Sequence, residues 1–397
     1  MKRALTALLL IGCGLPPPPG VTSTDGGAPP PITQVPNDAG DPCEIKSVTS
    51  DADLGNMNML GPSPDFTQVV VNRKDATGTF QVWVGDDART AACISCSAVP
   101  GGPAVSKRKV MTLWNPLNWI TVGVEMDNPN WPPFCDSKCQ DALLQCGINA
   151  DMWAVKPDGS QWVLLKKWDP NMTSLGQGFV GPAYTRDGKQ GYSAVIVDGN
   201  IFVYGFGKWV LQRSDFGLDA NGVLTMTNTT DVTPPGASWL EPGNISPDGK
   251  KLLFNSDLDL PTTKDTFGQD QFVLDLESGA VTNLTRSPTA WDEHGLYSPD
   301  GSKIVWMSSA LYPNATWVGN LQTDFFMMNA DGTNVRQLTH FNQPGFPESN
   351  AHGSVAAVAF FSQDGRTLYA IEQWDVGTQR LWEFEFNGAC GLTPHAQ

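Results

Sequence analysis

The feature that most constrains the fold is a phrase that recurs after about fifty residues. Ser246-Pro247-Asp248-Gly249 precedes one short apolar run, and Ser298-Pro299-Asp300-Gly301 precedes another. Proline pre-sets φ for the second position of a turn, aspartate tolerates the third, and glycine accepts the positive φ that closes it. The apolar runs on either side are typical of paired strands. The recurrence therefore predicts a repeated β unit.

Six segments share this pattern, and in most of them the turn is followed by a second strand, an aromatic-rich third strand, another turn and a fourth strand. The six turns begin at Ser63, Asn115, Thr185, Ser246, Ser298 and Ser362. Units of four strands at such spacing are typical of a β-propeller. We predict an all-β fold, a six-bladed β-propeller of four-stranded antiparallel blades, with seven blades as the alternative.

The last unit ends without a clear fourth strand, while residues 44–48 precede the first turn without an assigned partner. We predict that this N-terminal segment supplies the missing strand and closes the ring, which removes exposed strand edges. Cys43 and Cys390 lie at the two ends of the folded region, so a disulfide between them would link the ends of the chain.

The N-terminus has the character of an export signal. Lys2 and Arg3 precede an apolar run that ends in Gly12-Cys13, which predicts a lipoprotein signal peptide over 1–12 and a lipidated Cys13. An ordinary signal peptide with a chance cysteine is the alternative. The Pro- and Gly-rich residues 13–42 are expected to form a tether. We expect the propeller to span 43–392 and a tail 393–397, with the protein exported and anchored to the outer membrane of a bacterial cell envelope.

The remaining cysteines are interpreted as part of an exported, oxidised protein. Their spacing could also suggest zinc, but no histidine lies nearby, so disulfides are the preferred interpretation. The odd number in the mature chain leaves one thiol or an intermolecular bond. These cysteines are Cys93, Cys96, Cys135, Cys139 and Cys146.

The chain carries a formal net charge of −16 at pH 7. Such a surface repels nucleic acid and anionic lipid headgroups. Cationic partners, divalent cations and neutral ligands remain compatible with it. We expect a monomer that meets the membrane through its lipid anchor alone.

Two of the phrases resemble a known family. The segments SPDGKKLLFNSDLD and DQFVLDLESGAVTNLTRS, with SPDGSKIVWMSS and TDFFMMNADGTNVRQLTHF, are similar to TolB-like β-propeller repeats. The resemblance is strong over 236–345 and implies a propeller fold. TolB itself carries a further α/β domain, for which residues 14–42 leave no room. Prolyl-oligopeptidase-like peptidases have similar repeats, but the chain contains no G-x-S-x-G nucleophile motif.

Candidate site residues occur just before two of the turns, at positions that a propeller gathers at one mouth of its central channel. Trp and Glu recur there at equal offsets, and histidines accompany them in two units. Such a cluster could hold a divalent cation such as Ca²⁺, or a sugar-like or peptide ligand. Alternatively, the tryptophans pack between blades and the polar residues cap turns. The candidates are Trp239, Glu241, Trp291, Asp292, Glu293, His294 and His352.

Two functions follow from these candidates. The first is a non-catalytic binding or scaffold module for an envelope protein, peptide or glycan at the channel mouth. The second is a metal-dependent propeller enzyme, of the lyase or lactonase type, although four histidines are too few for a His-rich centre. Convergence of Glu241, Glu293, His294 and His352 to roughly 4–5 Å between donor atoms would favour a metal site.

Overall fold

The computed structural model describes residues 41–51, 57–126, 150–168, 179–198, 208–259, 268–287, 289–312, 321–350, 353–375 and 378–391. The described chain divides into two compact units. One contains residues 57–242, and the other contains residues 41–51 and 243–391. The division falls inside a strand, and that strand is described with the sheet it belongs to. The predicted signal peptide, Cys13, most of the tether, Cys135, Cys139, Cys146, His352 and the tail lie outside the described residues.

The first unit contains three four-stranded antiparallel sheets, each formed from consecutive strands. The first sheet consists of β2 (Met57–Pro62), β3 (Val69–Lys74), β4 (Phe80–Gly85) and β5 (Ala92–Cys93). The second consists of β6 (Lys109–Asn115), β7 (Trp119–Glu125), β8 (Ala150–Val155) and β9 (Trp162–Lys166). The third consists of β10 (Phe179–Tyr184), β11 (Gln190–Asp198), β12 (Lys208–Leu218) and β13 (Leu224–Asp231).

The second unit also contains three such sheets. The first consists of β14 (Leu240–Ile245), β15 (Lys251–Ser256), β16 (Asp270–Asp275) and β17 (Val281–Asn283). The second consists of β18 (Asp292–Tyr297), β19 (Lys303–Ser308), β20 (Asp324–Asn329) and β21 (Arg336–Gln337). The third consists of β22 (Val355–Phe361), β23 (Thr367–Asp375), β24 (Thr378–Phe386) and β1 (Ile45–Asp51). Six sheets of four strands confirm the predicted six-bladed β-propeller.

The last sheet is completed from the other end of the chain, as predicted. Strand β1 pairs antiparallel with β24, with Val48 opposite Phe384. Cys43 and Cys390 form a disulfide across this junction, with their Cα atoms 4.5 Å apart. The first and last strands are therefore joined by both a hydrogen-bond ladder and a covalent bond.

The repeated turns have the geometry that their sequence predicts. The amide of Gly301 donates to the carbonyl of Ser298 at 2.9 Å, and Gly301 has a φ of 75°, which glycine adopts without steric cost. The Ser298 hydroxyl donates to Asp300 and accepts from the Lys303 amide. The turn thus fixes the register of β18 against β19.

In two sheets of the second unit, an aspartate at the start of the third strand holds the segment that follows the fourth strand. Asp324 accepts hydrogen bonds from the Thr339 hydroxyl and from the Phe341 amide, and Asp270 accepts equivalent bonds from Thr285 and Ser287. Burial raises the pKa of Asp324 to about 6 and that of Asp270 to about 7, the latter also through its neighbour Asp292. Strands β17 and β21 end two residues before these threonines, whose hydroxyls donate to the aspartates.

The second strands of two sheets in the second unit, β15 and β19, are almost entirely buried. Leu252, Leu253 and Phe254 are fully buried in β15, and Ile304 and Val305 are fully buried in β19. Continuous apolar runs of this kind are typical of strands covered on both sides. No helix in the described ranges has the length and apolar character that a bilayer crossing requires.

Candidate functional site

Two glycines bring the first strands of two neighbouring sheets into close contact. A Cβ atom added to Gly243 on β14 would lie 2.3 Å from the carbonyl oxygen of Gly295 on β18. Only a residue without a side chain permits this approach. Glu241 and Glu293 each lie two residues before one of these glycines, so the same approach brings the two carboxylates together.

Glu241, Glu293 and His294 form a cluster of potential metal ligands. One ligand atom from each of the three lies within 4.8 Å of the others. This agrees with the separation expected from the sequence for three of its four candidates, and His352 lies outside the described residues. Both glutamates are buried, and His294 is half-buried.

The carboxylate of Glu293 is held from one side. Its Oε2 atom accepts a hydrogen bond from the indole Nε1 of Trp291 at 2.8 Å. Its Oε1 atom is buried and has no hydrogen-bond partner among the described residues. Because buried carboxylate oxygens are normally hydrogen-bonded, this atom is available to a group beyond the described residues.

The imidazole of His294 is oriented by the third sheet of the same unit. Its Nδ1 atom hydrogen-bonds to the backbone carbonyl of Ala357 on β22. A carbonyl can only accept, so Nδ1 carries the proton and Nε2 keeps its lone pair in the neutral ring. This tautomer leaves Nε2 able to bind a metal.

The backbone at His294 is left-handed, with a φ of 55°, at an irregularity in the pairing of β18 with β19. Met111 has a φ of 52° at the corresponding position of β6, four residues before its turn. The conformation therefore recurs at this position in more than one sheet, whereas a histidine stands there in this unit alone.

The other predicted site residues within the described ranges are buried. Trp239 and Trp291 are almost completely buried. Asp292 accepts hydrogen bonds from Trp306 Nε1 at 3.1 Å and from the Ser287 hydroxyl at 2.8 Å, and burial raises its pKa. Trp291 and Asp292 thus have intramolecular partners and position the strand that carries Glu293 and His294.

Sequence reasoning missed a buried amide beside the cluster. Gln271 on β16 is fully buried, and neither polar atom of its side chain has a hydrogen-bond partner within the described chain. A Cβ atom added to Gly295 would lie 2.2 Å from its Oε1, which places the amide against the residue that follows His294. The sequence gives little signal for it, because Gln271 is one of three consecutive polar residues ahead of an apolar run.

The Cys93-x-x-Cys96 segment is a disulfide, with Cα atoms 5.6 Å apart. This confirms the preferred interpretation for that pair over a zinc site. The remaining three cysteines of that prediction lie outside the described residues.

Comparison with solved structures identifies other propellers. TolB from Acinetobacter baumannii is 13% identical with a TM-score of 0.42, and the match covers 84% of this chain and 64% of that one. A putative TolB from Agrobacterium tumefaciens is 15% identical with a TM-score of 0.47, covering 84% of this chain and 91% of that one. The propeller domain of the Trilobed protease from Pyrococcus furiosus is 10% identical with a TM-score of 0.45, covering 84% and 82%.

The chain therefore spans less than two thirds of the TolB structure from A. baumannii. No family model matches the sequence, and no curated protein matches it. The likeness is one of fold.

Proposed function

We propose that this chain is a non-catalytic binding module of the bacterial cell envelope, exported and anchored by a lipid on Cys13. It binds an envelope protein through a peptide segment that reaches Glu241, Glu293 and His294. The observation that carries the proposal is the Oε1 atom of Glu293, a buried acceptor that the described chain leaves without a donor. A hydrogen-bond donor of the ligand, or a cation bound together with the ligand, would give this oxygen a partner.

The attachment of the tether supports an anchored role. Asp41 forms an ion pair with Arg336 at 2.8 Å, and the carbonyl of Cys43 accepts a hydrogen bond from the same guanidinium at 3.0 Å. Together with the Cys43–Cys390 disulfide, these contacts hold the start of the propeller where a tether would pull on it. Force on a membrane anchor would then be carried by a covalent link rather than by the edge of a sheet.

The ligand is tested by capture from envelope extract with the full-length, lipidated chain. We expect a protein to co-purify with the wild type and to be recovered in at least ten-fold smaller amount with Glu293→Gln. Glu277→Gln, which removes an exposed carboxylate elsewhere, is the control and should recover the wild-type amount. His294→Gln serves as a second variant, and circular dichroism verifies that each variant folds. Equal capture by wild type and both site variants would overturn binding at this cluster. Retention of a purified glycan, instead of a protein, would assign a glycan ligand.

The anchor is tested separately. Radiolabelled palmitate should label the wild-type chain, and Cys13→Ser should abolish the label and release the chain from membranes. A wild-type chain that carries no lipid would contradict the anchor while leaving the ligand experiment unaffected.

One observation favours a second function. The grouping of two carboxylates with an imidazole is compatible with a metal-dependent lyase or lactonase. A screen of lactones and uronate oligosaccharides tests this function. Turnover of a substrate by the wild type that is lost in His294→Gln would establish the enzymatic function. If the metal-loaded wild type turns over none of the substrates, these two reaction classes are excluded.

A further inference from the structure

We infer that Glu241, Glu293 and His294 bind a divalent first-row transition cation, with Zn²⁺ bound more tightly than Mn²⁺ and Ca²⁺ bound weakly. The inference deepens the proposed function, because the cation would be the group through which this site takes its ligand.

The geometry is close to that of a metal centre. The three ligand atoms lie within 4.8 Å of one another. Zinc at roughly 2.0–2.1 Å from nitrogen and oxygen ligands in a tetrahedron separates those ligands by about 3.4 Å. Binding would therefore need these ligand atoms to approach one another by at most about 1.4 Å.

The surroundings prepare two of the ligands for a metal. The indole of Trp291 fixes Oε2 of Glu293, which leaves Oε1 as the coordinating atom. The carbonyl of Ala357 fixes Nδ1 of His294, which leaves Nε2 as the coordinating atom. Outer hydrogen bonds of this kind orient the ligands of protein metal sites and raise their basicity.

The charge balance also favours a cation. Glu293 is 1% exposed, and no Lys or Arg of the described chain forms an ion pair with it. A buried carboxylate without a counter-charge is costly, and a bound cation removes that cost. A single transition ion would supply the missing counter-charge to Glu293.

The ligand set selects the metal. Calcium takes six to eight oxygen ligands and has little preference for imidazole, whereas zinc binds mixed nitrogen and oxygen sets with four ligands. Three protein ligands leave at least one position open for water or for an oxygen of a bound ligand. The unpartnered amide of Gln271 lies against Gly295, the residue that follows His294.

The test uses full-length protein prepared without a histidine tag and stripped with chelator, titrated calorimetrically with ZnCl₂, MnCl₂ and CaCl₂. We expect one Zn²⁺ per chain, and a rise of a few degrees in the melting temperature at saturation. Glu293→Gln and His294→Gln should each weaken Zn²⁺ binding at least 100-fold. Glu277→Gln should leave it unchanged. Absorption of the Co²⁺-loaded protein should indicate four-coordinate nitrogen and oxygen ligation.

Unchanged Zn²⁺ affinity in both site variants would overturn the inference, because the ion would then bind elsewhere, as on the cysteines outside the described residues. Tighter binding of Ca²⁺ than of Zn²⁺ would also overturn it. These titrations contain no partner protein, so their failure is distinct from failure of the capture experiment. If capture persists in chelator, the binding function stands without the metal.

Discussion

The indole nitrogen of Trp291 lies 2.8 Å from Oε2 of Glu293, two residues further along the chain. The tryptophan side chain is almost completely buried and therefore does not present its ring to a ligand in this conformation. Its nitrogen instead holds the carboxylate, so that the remaining oxygen is the one without a donor. Trp291 thus contributes to the site by orienting the carboxylate of Glu293.

Replacement of Trp291 by phenylalanine should separate this role from simple packing. The ring volume is largely kept, but the carboxylate loses its donor, so we expect a loss of about 1–3 kcal/mol in the free energy of unfolding. Zinc affinity should fall about 10- to 100-fold, as on loss of other outer hydrogen bonds. Urea unfolding and calorimetric titration measure the two effects.

Trp83→Phe is the matched control for this variant. Its indole nitrogen also donates one hydrogen bond, to the carbonyl of Arg73 at 3.0 Å, in the other compact unit. We expect some loss of stability and an unchanged affinity for zinc. Equal effects of both variants on zinc binding would show that Trp291 does not position Glu293.

The close approach of Gly243 and Gly295 predicts a second result. Gly243→Ala places a methyl group 2.3 Å from a backbone oxygen, which the sheets can relieve only by moving apart. We expect destabilisation of about 2–3 kcal/mol, together with weakened zinc binding, because Glu241 moves away from Glu293. Chemical denaturation and zinc titration of the variant measure both.

Gly217→Ala is the control for Gly243, since its added Cβ meets nothing closer than 3.8 Å. Its stability should change by less than about 0.5 kcal/mol. If Gly243→Ala changes the stability equally little, β14 and β18 do not approach each other this closely.

The parts of the fold that the sequence predicts are those encoded in adjacent residues. The turn from Ser298 to Gly301 and the apolar strands beside it depend on the conformational preferences of consecutive residues. Equal offsets from the turns also place Glu241 beside Glu293, because each repeat positions the same offset on the same edge. The predictions for β1, β24 and the Cys43–Cys390 disulfide follow from the one incomplete unit.

What the sequence does not predict depends on contacts between sheets. The acceptor for His294 is a backbone carbonyl, at Ala357, and a carbonyl leaves no trace in the identity of its residue. Gln271 is separated from His294 by more than twenty residues and meets it only because two sheets pack together. The burial of Trp239 and Trp291 likewise depends on which sheet covers them.

The two disulfides should differ in their contribution to stability. Cys43–Cys390 closes a loop of 347 residues, whereas Cys93–Cys96 links residues three apart in sequence. In the chain-entropy model the first contributes about 6 kcal/mol and the second about 2 kcal/mol. We expect the double variant Cys43→Ser/Cys390→Ser to lower the melting temperature at least twice as far as Cys93→Ser/Cys96→Ser. Scanning calorimetry under oxidising conditions measures both, and equal shifts would contradict a special role for the junction of β1 and β24.

The buried carboxyl of Asp324 predicts a pH dependence of stability. Burial raises its pKa from 3.8 to about 6 in the folded chain, so between these values the folded state holds a proton that the unfolded state has lost. Stability therefore falls as the pH rises through this window, by about 2–3 kcal/mol for this group, and the full contribution is present below pH 4.

Asp324→Asn isolates this contribution. The asparagine can still accept from the Phe341 amide and the Thr339 hydroxyl, and its amide can donate to the Tyr312 hydroxyl, which is also a partner of Asp324. It cannot titrate, so the difference between wild type and variant in the free energy of unfolding should change between pH 4 and pH 7 in favour of the variant. Denaturant unfolding at half-unit pH intervals measures this difference. A difference that stays constant across the range would mean that Asp324 titrates alike in the folded and unfolded chains, and that the brace from β20 to Thr339 acts as a hydrogen bond alone.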